Sequence, residues 1–417
     1  MFKQRRNQYL KYIDQGSISL VFSGVAVQRS LDTNYPFSVD HNFYYLTGIN
    51  QENVVCLMIK GQKETHTYLF IEPIDPVKAL WDGAGLSFEE AAAVSEIDVT
   101  HVKDIRLLDE FITQILSTSR RAVFGDLKIA YLDLDRLKPE LPDSLGQSYA
   151  KKLKSLFPYL TIKANQSYLS QLRVVKNDFE VNKIKDAISI TKDALDRIKR
   201  TIKPNIYEYE VEAEFNYVLN KNRATPGFTS ICASGKNATV LHYIDNDSKI
   251  ENNSLMLFDL GACKDFYSAD ISRTFPANGK YSDRQREIYN IVLEANKKTI
   301  EWVKAGVTWA EYNNFGKQVL IEGAKKIGLI EKDEDILKYY YHSLGHYLGL
   351  DIHDVGKYSE PIPVGSIITV EPGLYIAEEG IGIRIEDNLL ITEDGCINLS
   401  KDIIKEIDDI EAFMKNN

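Results

Sequence analysis

Two aspartates in neighbouring apolar segments are the first candidates for chemistry in this chain. Asp259 and Asp270 each lie in a run rich in residues that favour β-strands, and the polar link 263–266 between the runs predicts a hairpin. A turn centred on Lys264 and Asp265 would place the two aspartates directly opposite each other on one face. Two carboxylates at that separation in apolar surroundings repel each other, so they need a shared proton or a cation. The alternative is that both are ordinary carboxylates of a turn or an edge strand.

A histidine-rich segment downstream could supply nitrogen donors. His342, His346 and His353 lie close together and are three of the seven histidines in the chain. Gly345 and Gly349 flank the middle histidine, and glycine permits a close approach of the backbone to ions or ligands. The segment is therefore a candidate wall of the same site.

Two glutamates follow or end predicted strands. Glu371 comes directly after the apolar segment 367–370 and before a Pro-Gly pair, which predicts a strand that stops there. Arg384 and Glu386 alternate with isoleucines, so they share one face of a predicted strand. Two aspartates, at least one histidine and two glutamates form an oxygen-rich donor set with one nitrogen ligand. Such a set suits a pair of ions such as Mn²⁺, Co²⁺ or Zn²⁺.

These residues and their local motifs resemble the pita-bread metallopeptidases. The motifs are Asp-Leu-Gly, Asp-Ile-Ser-Arg-Thr-Phe-Pro, Gly-His-Tyr-Leu-Gly-Leu-Asp-Ile-His-Asp, Glu-Pro-Gly-Leu-Tyr and Arg-Ile-Glu-Asp. More narrowly, the chain resembles the Xaa-Pro aminopeptidases (aminopeptidase P), with the Xaa-Pro dipeptidases (prolidases) as the nearest relatives. The resemblance implies two divalent metal ions, with Mn²⁺ as the first choice and Co²⁺ or Zn²⁺ as alternatives. It implies these metal ligands: Asp259, Asp270, His346, Glu371 and Glu386.

The resemblance also implies an α+β fold and roles for further side chains. A pita-bread (creatinase/aminopeptidase-like) catalytic domain would span residues 166–417, after a smaller α/β domain at residues 1–165. Glu371 would also shuttle a proton, and Arg384 would hold a carboxylate of the site. Implied at the substrate are His242, His342, His353, Tyr375, Trp81 and Asp32.

Plainer interpretations of several of these side chains stay open. His242 could be structural, and His342 could serve the core or support a ligand. Arg384 could be a structural ion-pair partner, and Tyr375 a packed aromatic. Among those implied to contact substrate, His242 and His353 would stabilise the oxyanion that forms during hydrolysis.

The N-terminal third alternates predicted strands and helices, which indicates an α/β domain. Three stretches resemble the aminopeptidase P N-terminal domain: Gln-Arg-Ser-Leu-Asp ending at Asp32, the run 42–48, and Leu-Trp-Asp-Gly around Trp81. The resemblance implies that Asp32 and Trp81 help to close the substrate's end, whereas plain packing is the alternative for Trp81. One departure is that the arginine expected after Trp-Asp-Gly is absent from Ala-Gly-Leu at 84–86.

Composition and short motifs narrow the classes of protein to which the chain could belong. The chain has 417 residues, 44% of them hydrophobic and 26% charged, which favours two globular domains. A net charge of −10 argues against a nucleic-acid partner. The four cysteines form no CxxC pair, and neither a signal peptide nor a membrane span is expected, so we expect a cytoplasmic protein. Residues 233–237 read as a loop that fails the phosphate-loop pattern, and neither a GxSxG nor an HExxH motif is present.

The resulting prediction is a dinuclear aminopeptidase that releases the N-terminal residue from peptides with proline in second place. Its partners would be such peptides, and the resemblance suggests a homodimer or homotetramer. A prolidase is the close alternative, because the same metal site serves both activities. A non-catalytic peptide-binding module and a creatinase-like C–N hydrolase are remote alternatives, since all five ligand positions hold competent residues.

Overall fold

The computed structural model describes residues 1–117, 119 and 122–416. The chain divides into two compact units, Met1–Arg173 and Val174–Asn417. The division predicted after residue 165 falls directly in front of the helix Gln166–Val174. Among the described residues, no helix combines the length and the apolar character needed to cross a membrane.

A six-stranded mixed sheet forms the centre of the first unit. Its strands are β1 Ser17–Phe22, β2 Val55–Lys60, β3 Thr65–Ile71, β4 Val102–Asp104, β5 Ile129–Leu132 and β6 Thr161–Ala164. The helices are α1 Phe2–Tyr12, α2 His41–Thr47, α3 Pro76–Asp82, α4 Phe88–Ser95, α5 Leu108–Leu116, α6 Leu145–Leu156 and α7 Gln166–Val174. The strand order is β4-β3-β2-β1-β5-β6, with β1, β5 and β6 parallel to one another. The predicted α/β organisation is confirmed.

Local sequence explains where these elements begin and pack. Helix α4 starts after Ser87, which forms a reciprocal capping box with Glu90. Ile112 of α5 packs against the sheet in a core of buried apolar side chains. By contrast, Trp81 in α3 is 84% exposed, so the interpretation of Trp81 as a packed core residue is wrong. Asp32 is also exposed.

The second unit combines long helices with four small antiparallel sheets. The helices are α8 Asp178–Thr201, α9 Glu208–Lys221, α10 Asp283–Trp302, α11 Trp309–Lys326 and α12 Ile407–Asn416. The strands are β7 Thr225–Pro226, β8 Ile231–Ser234, β9 Leu255–Leu260, β10 Ala262–Lys264, β11 Tyr267–Ser268, β12 Ile271–Pro276, β13 Ile367–Val370, β14 Gly373–Ile376, β15 Ile381–Arg384, β16 Asp387–Ile391 and β17 Cys396–Asn398. The sheets are β12-β9-β8, β11-β10-β7, β13-β16-β17 and β14-β15. Helix α8 packs on α9, and α10 packs on α11.

The aspartate hairpin forms with a register different from the predicted one. Asp259 pairs with Ser272, and the tight turn is centred on Asp265 and Phe266, which have φ of 50° and 70°. Positive φ at both central residues is the signature of the two-residue turn that matches strand twist. Direct opposition of Asp259 and Asp270 is therefore wrong. Asp270 lies two residues before Ser272, which keeps it diagonal to Asp259 on the same face.

Two other local predictions differ from the structure. The predicted loop 233–237 begins as the end of β8 and continues as a 3₁₀ helix, Gly235–Thr239. The strand predicted through Glu386 stops at Arg384, because the backbone N–H of Glu386 donates to the carbonyl of Ser272 instead of continuing β15. The break leaves Glu386 in the link between β15 and β16.

Candidate active site

A cavity of about 410 Å³ in the second unit collects most of the predicted site residues. Its lining includes the five predicted metal ligands, four further predicted site residues, Gly345 of the predicted histidine segment, and four residues that sequence reasoning did not select. The lining residues are Leu241, His242, Asp259, Asp270, Asn313, His342, Ser343, Gly345, His346, His353, Tyr358, Glu371, Arg384 and Glu386. Tyr375 is absent from this lining and lies behind it, whereas Trp81 and Asp32 belong to the first unit.

Each carboxylate enters the cavity from the end of a strand or from a break between strands. Asp259 is near the end of β9, and Asp270 lies between β11 and β12. Glu371 follows β13, and its backbone N–H donates to the carbonyl of Leu344. Asp270, Glu371 and Glu386 lie outside the regular strands, whereas Asp259 lies within β9, and together they bring side chains from three different sheets to one cavity.

His346 is oriented with one ring nitrogen toward the carboxylates. Its Nδ1 lies 2.9 Å from the carbonyl oxygen of Tyr347, to which it donates. Its Nε2 lies 3.4 Å from Asp270 Oδ2 and 3.5 Å from Glu371 Oε1. Donor atoms of Asp270, His346 and Glu386 all lie within 4.8 Å of one another. A neutral imidazole held in this way presents a lone pair to a cation.

Burial and mutual repulsion raise the pKa values of the carboxyl groups in this site. Burial raises the pKa of Asp270 well above its usual range, and the charges of Asp259 and Glu371 raise it further. Burial likewise raises the pKa of Glu371 and of Glu386, with Asp270 adding to the effect on Glu386. Oδ1 of Asp259 and Oε1 of Glu386 are buried and have no hydrogen-bond partner among the described residues. Oxygen atoms in this condition fit divalent cations, which would satisfy them and offset the repulsion.

Arg384 is the positive charge within this acidic group. Its Nη2 donates to Asp259 Oδ2 at 2.7 Å, its Nε to Ser272 Oγ at 2.8 Å and its Nη1 to Tyr375 Oη at 3.1 Å. The side chain is 4% exposed. Arg384 thus fixes one oxygen of Asp259 and leaves the other directed to the cavity.

Ser272 is a supporting residue that the sequence analysis did not select. Its hydroxyl donates to Glu386 Oε2 at 2.8 Å while it accepts from Arg384, so it joins the two predicted site residues. The available signal was its position two residues after Asp270, which places it on the same strand face. Asn388 also supports this strand, because its side-chain amide bonds both the N–H and the carbonyl of Asp270.

The other histidines occupy distinct environments in the cavity. His342 donates from Nδ1 to the carbonyl of Ser343 at 2.7 Å, and its Nε2 lies 2.9 Å from Tyr375 Oη. Burial lowers the pKa of His342 to about 4, and Arg384 adds to that effect. The ring of His353 lies 4.3 Å from that of His346, edge to face. Burial, followed by the neighbouring histidines, lowers the pKa of His353, which favours a neutral imidazole.

Comparison with known proteins agrees with this geometry. Residues 182–393 match the family model of metallopeptidase family M24, and residues 2–124 match that of the aminopeptidase P N-terminal domain. A Haemophilus influenzae protein named Xaa-Pro aminopeptidase is 35% identical over 438 residues, which cover 99% of this chain and 96% of that protein. A solved Bacillus anthracis chain is 44% identical with a TM-score of 0.96, covering 100% of this chain and 98% of its own. Escherichia coli aminopeptidase P with the inhibitor Pro-Leu is 30% identical with a TM-score of 0.90, at the same coverages. The predicted fold class is confirmed.

Proposed function

This chain belongs to metallopeptidase family M24, and we propose from that premise that it is a metal-dependent Xaa-Pro aminopeptidase. It would hydrolyse the bond between an N-terminal residue and a following proline in peptides. The observation that carries the proposal is the single cavity in which four carboxylates, His346 and Arg384 converge. The match to the aminopeptidase P N-terminal domain and to full-length relatives of that name favours the aminopeptidase over a prolidase.

The residues proposed to hold two divalent ions are Asp259, Asp270, His346, Glu371 and Glu386. The ions would supply Lewis-acid chemistry and would lower the pKa of a water molecule so that it can ionise near neutral pH. We propose Mn²⁺ as the metal, with Co²⁺ and Zn²⁺ as alternatives, because the set is mainly oxygen with one imidazole nitrogen. Arg384 and Ser272 hold individual carboxylate oxygens, so the remaining oxygens keep a fixed direction.

Protein side chains account for the proton movements of the reaction. Glu371 is proposed to accept the proton of the attacking water and to deliver it to the proline nitrogen as the C–N bond breaks. His353 and His242 are proposed to donate to the carbonyl oxygen, where negative charge develops when water attacks the carbon.

The substrate is proposed to contact His342, and Tyr375, which lies behind the lining, is proposed to act on the substrate through its bond to His342. The hydrogen bond between these two side chains and the bond from Arg384 to Tyr375 form a continuous polar wall. Asp32 and Trp81 are proposed to help close the substrate's end, and the exposure of Trp81 leaves its ring available for contact. We also propose a homodimer or homotetramer that acts in the cytoplasm. All four cysteines are unpaired in the described part of the chain, which suits a reducing compartment.

Hydrolysis of a matched pair of peptides, Xaa-Pro and Xaa-Pro-Yaa, tests the proposal. With Mn²⁺ we expect cleavage of the longer peptide and loss of cleavage when a chelator is added. Asp259→Ala should lower the rate at least about 100-fold because it removes a proposed ligand, whereas Glu360→Ala, in an exposed ion pair of the same unit, should have no effect. Cleavage of the dipeptide alone would move the assignment to prolidase. Absence of cleavage at every metal loading would instead favour a peptide-binding module.

A further inference from the structure

A buried ion pair lies beside the histidine segment and takes no part in the chemistry proposed above. Lys176 Nζ lies 2.9 Å from Asp354 Oδ2, and each side chain is 1% exposed. Transfer of two charges out of water is costly, and mutual attraction often fails to offset the cost. A buried ion pair is therefore weak evidence for stability, and the groups that it holds in position are the more informative feature.

The lysine end of the pair is fixed to the backbone at the start of the second unit. The N–H of Lys176 donates to the carbonyl of Gly365 at 2.8 Å, and Nζ also donates to the carbonyl of Val174 at 3.2 Å. Val175 forms a β-bridge with Ser366, directly before β13. The ammonium group therefore projects from a backbone held on both sides.

The aspartate end closes a loop that carries the site histidines. The N–H of Asp354 donates at 2.8 Å to the carbonyl of Tyr347, and the same oxygen accepts from Nδ1 of His346 at 2.9 Å. His353 directly precedes Asp354, and its ring packs edge to face on that of His346. One carbonyl oxygen thus joins the loop closure to the orientation of His346.

Gly349 completes the enclosure of the pair. A Cβ at this position would lie 2.1 Å from Asp354 Oδ2 and 3.0 Å from Lys176 Cε, so the two side chains occupy the space that glycine leaves. Gly349 also accepts a hydrogen bond from the N–H of Ser268, in the hairpin that leads to Asp270. The loop is therefore packed between the pair and the hairpin.

We propose that Lys176 and Asp354 are positioning residues, which set the directions of the His353 and His346 rings by holding this loop closed. The inference deepens the proposed function and rests on it for the role of His353. Neither Lys176 nor Asp354 lines the cavity, so the pair would act on the site through the loop. Substrate binding is expected to depend on it less than turnover does.

The test replaces the pair with apolar side chains, Lys176→Met together with Asp354→Leu. Removing both charges avoids an unpaired buried charge, so the double variant should unfold at a temperature close to that of the parent protein. With metal loaded and Xaa-Pro-Yaa as substrate, kcat should fall about 10- to 100-fold while KM changes less than about twofold, because misdirected groups mainly cost turnover. In metal-free protein, the imidazole NMR signals of His346 and His353 should shift, and those of His66 in the first unit should not. A matched control, Lys298→Met with Glu294→Leu, removes an exposed pair on α10 and should leave every readout unchanged.

A second variant keeps the test decisive if the double variant fails to fold. Asp354→Asn preserves the shape and one acceptor oxygen, and it should produce the same ring-signal shifts with a smaller fall in kcat. Unchanged ring signals and unchanged kcat in either folded variant would overturn the proposal. If the parent protein cleaves no Xaa-Pro peptide, the proposed function fails, while the ring signals still decide whether the pair positions the histidines.

Discussion

Substitution of Arg384 by methionine should destabilise the metal-free protein more than the metal-loaded one. Arg384 is the guanidinium that bonds Asp259, and it lies among four carboxylates that converge on one cavity. Oδ1 of Asp259 lacks a hydrogen-bond partner among the described residues, and Arg384→Met also removes the hydrogen bond that Arg384 donates to Oδ2. Methionine keeps most of the side-chain length, which limits loss of packing.

The expected magnitudes follow from which charge remains to neutralise Asp259. Without metal, removal of one member of a buried pair costs about 3–5 kcal/mol in the free energy of unfolding. We expect the lower end, because the side chain of Asp259 is 16% exposed. With metal bound, the cation neutralises the carboxylate, and the loss reduces to a charge-assisted hydrogen bond of about 1.5 kcal/mol. Metal should therefore stabilise the variant by roughly 1–2 kcal/mol more than it stabilises the parent, which is the difference between these two costs.

Urea unfolding with EDTA and with saturating MnCl₂ measures both quantities. Tryptophan fluorescence is a suitable probe, because Trp302 and Trp309 lie in the second unit. Arg284→Met is the control: it removes partly exposed ion pairs with Glu379 and Glu287, outside the cavity lining, and should cost the same with or without metal. Equal destabilisation of Arg384→Met in both conditions would refute the view that Arg384 and the ions neutralise the same carboxylate.

Two further predictions concern the backbone approach in the hairpin and the buried histidine. Gly261→Ala should lower the free energy of unfolding by about 1–3 kcal/mol and lower activity, because its Cβ would lie 1.9 Å from the carbonyl oxygen of Ala269. Gly395→Ala, where the added Cβ meets open space, should be neutral. Urea midpoints and peptide hydrolysis measure both effects, and a stable, active Gly261→Ala would contradict the close approach. The pKa of His342 is lowered to about 4 from an ordinary 6.5, so the unfolded chain binds more protons between these pH values and stability is lost as pH falls through them. The loss in the free energy of unfolding amounts to about 3 kcal/mol, and it should be missing from His342→Gln. Urea titrations of chelator-treated protein at pH 7 and pH 4.5 measure it. An equal change of stability with pH in the parent and in His342→Gln would contradict the prediction.

Much of the fold follows from patterns that act over a few residues. The apolar run 17–22 forms strand β1, and Ser87, a residue type that favours helix N-termini, caps α4. The strand before Glu371 also ends where the Pro-Gly pair indicates. The turn at Asp265 and Phe266 was misplaced because phenylalanine rarely adopts positive φ, so its sequence gives no turn signal. Pairing along the whole hairpin decides the register, since β9 and β12 continue the register of β10 and β11.

The site itself depends on interactions between distant segments, which explains why its supports were harder to predict than its donors. Acidic and imidazole side chains reveal themselves by type, whereas Ser272 becomes important only when β15 lies beside β12 and brings Arg384 to its hydroxyl. Lys176 and Asp354 are 178 residues apart, and either alone looks like an ordinary surface charge. The support that Ser272 gives to Glu386 depends on a break in regular structure, since a strand that continued through Glu386 would direct its N–H to a neighbouring strand rather than to Ser272. The features that position a catalytic group are thus those that local periodicity describes least well. The unpartnered oxygens of Asp259 and Glu386 remain directed to the cavity because Arg384 and Ser272 hold the other oxygen of each carboxylate.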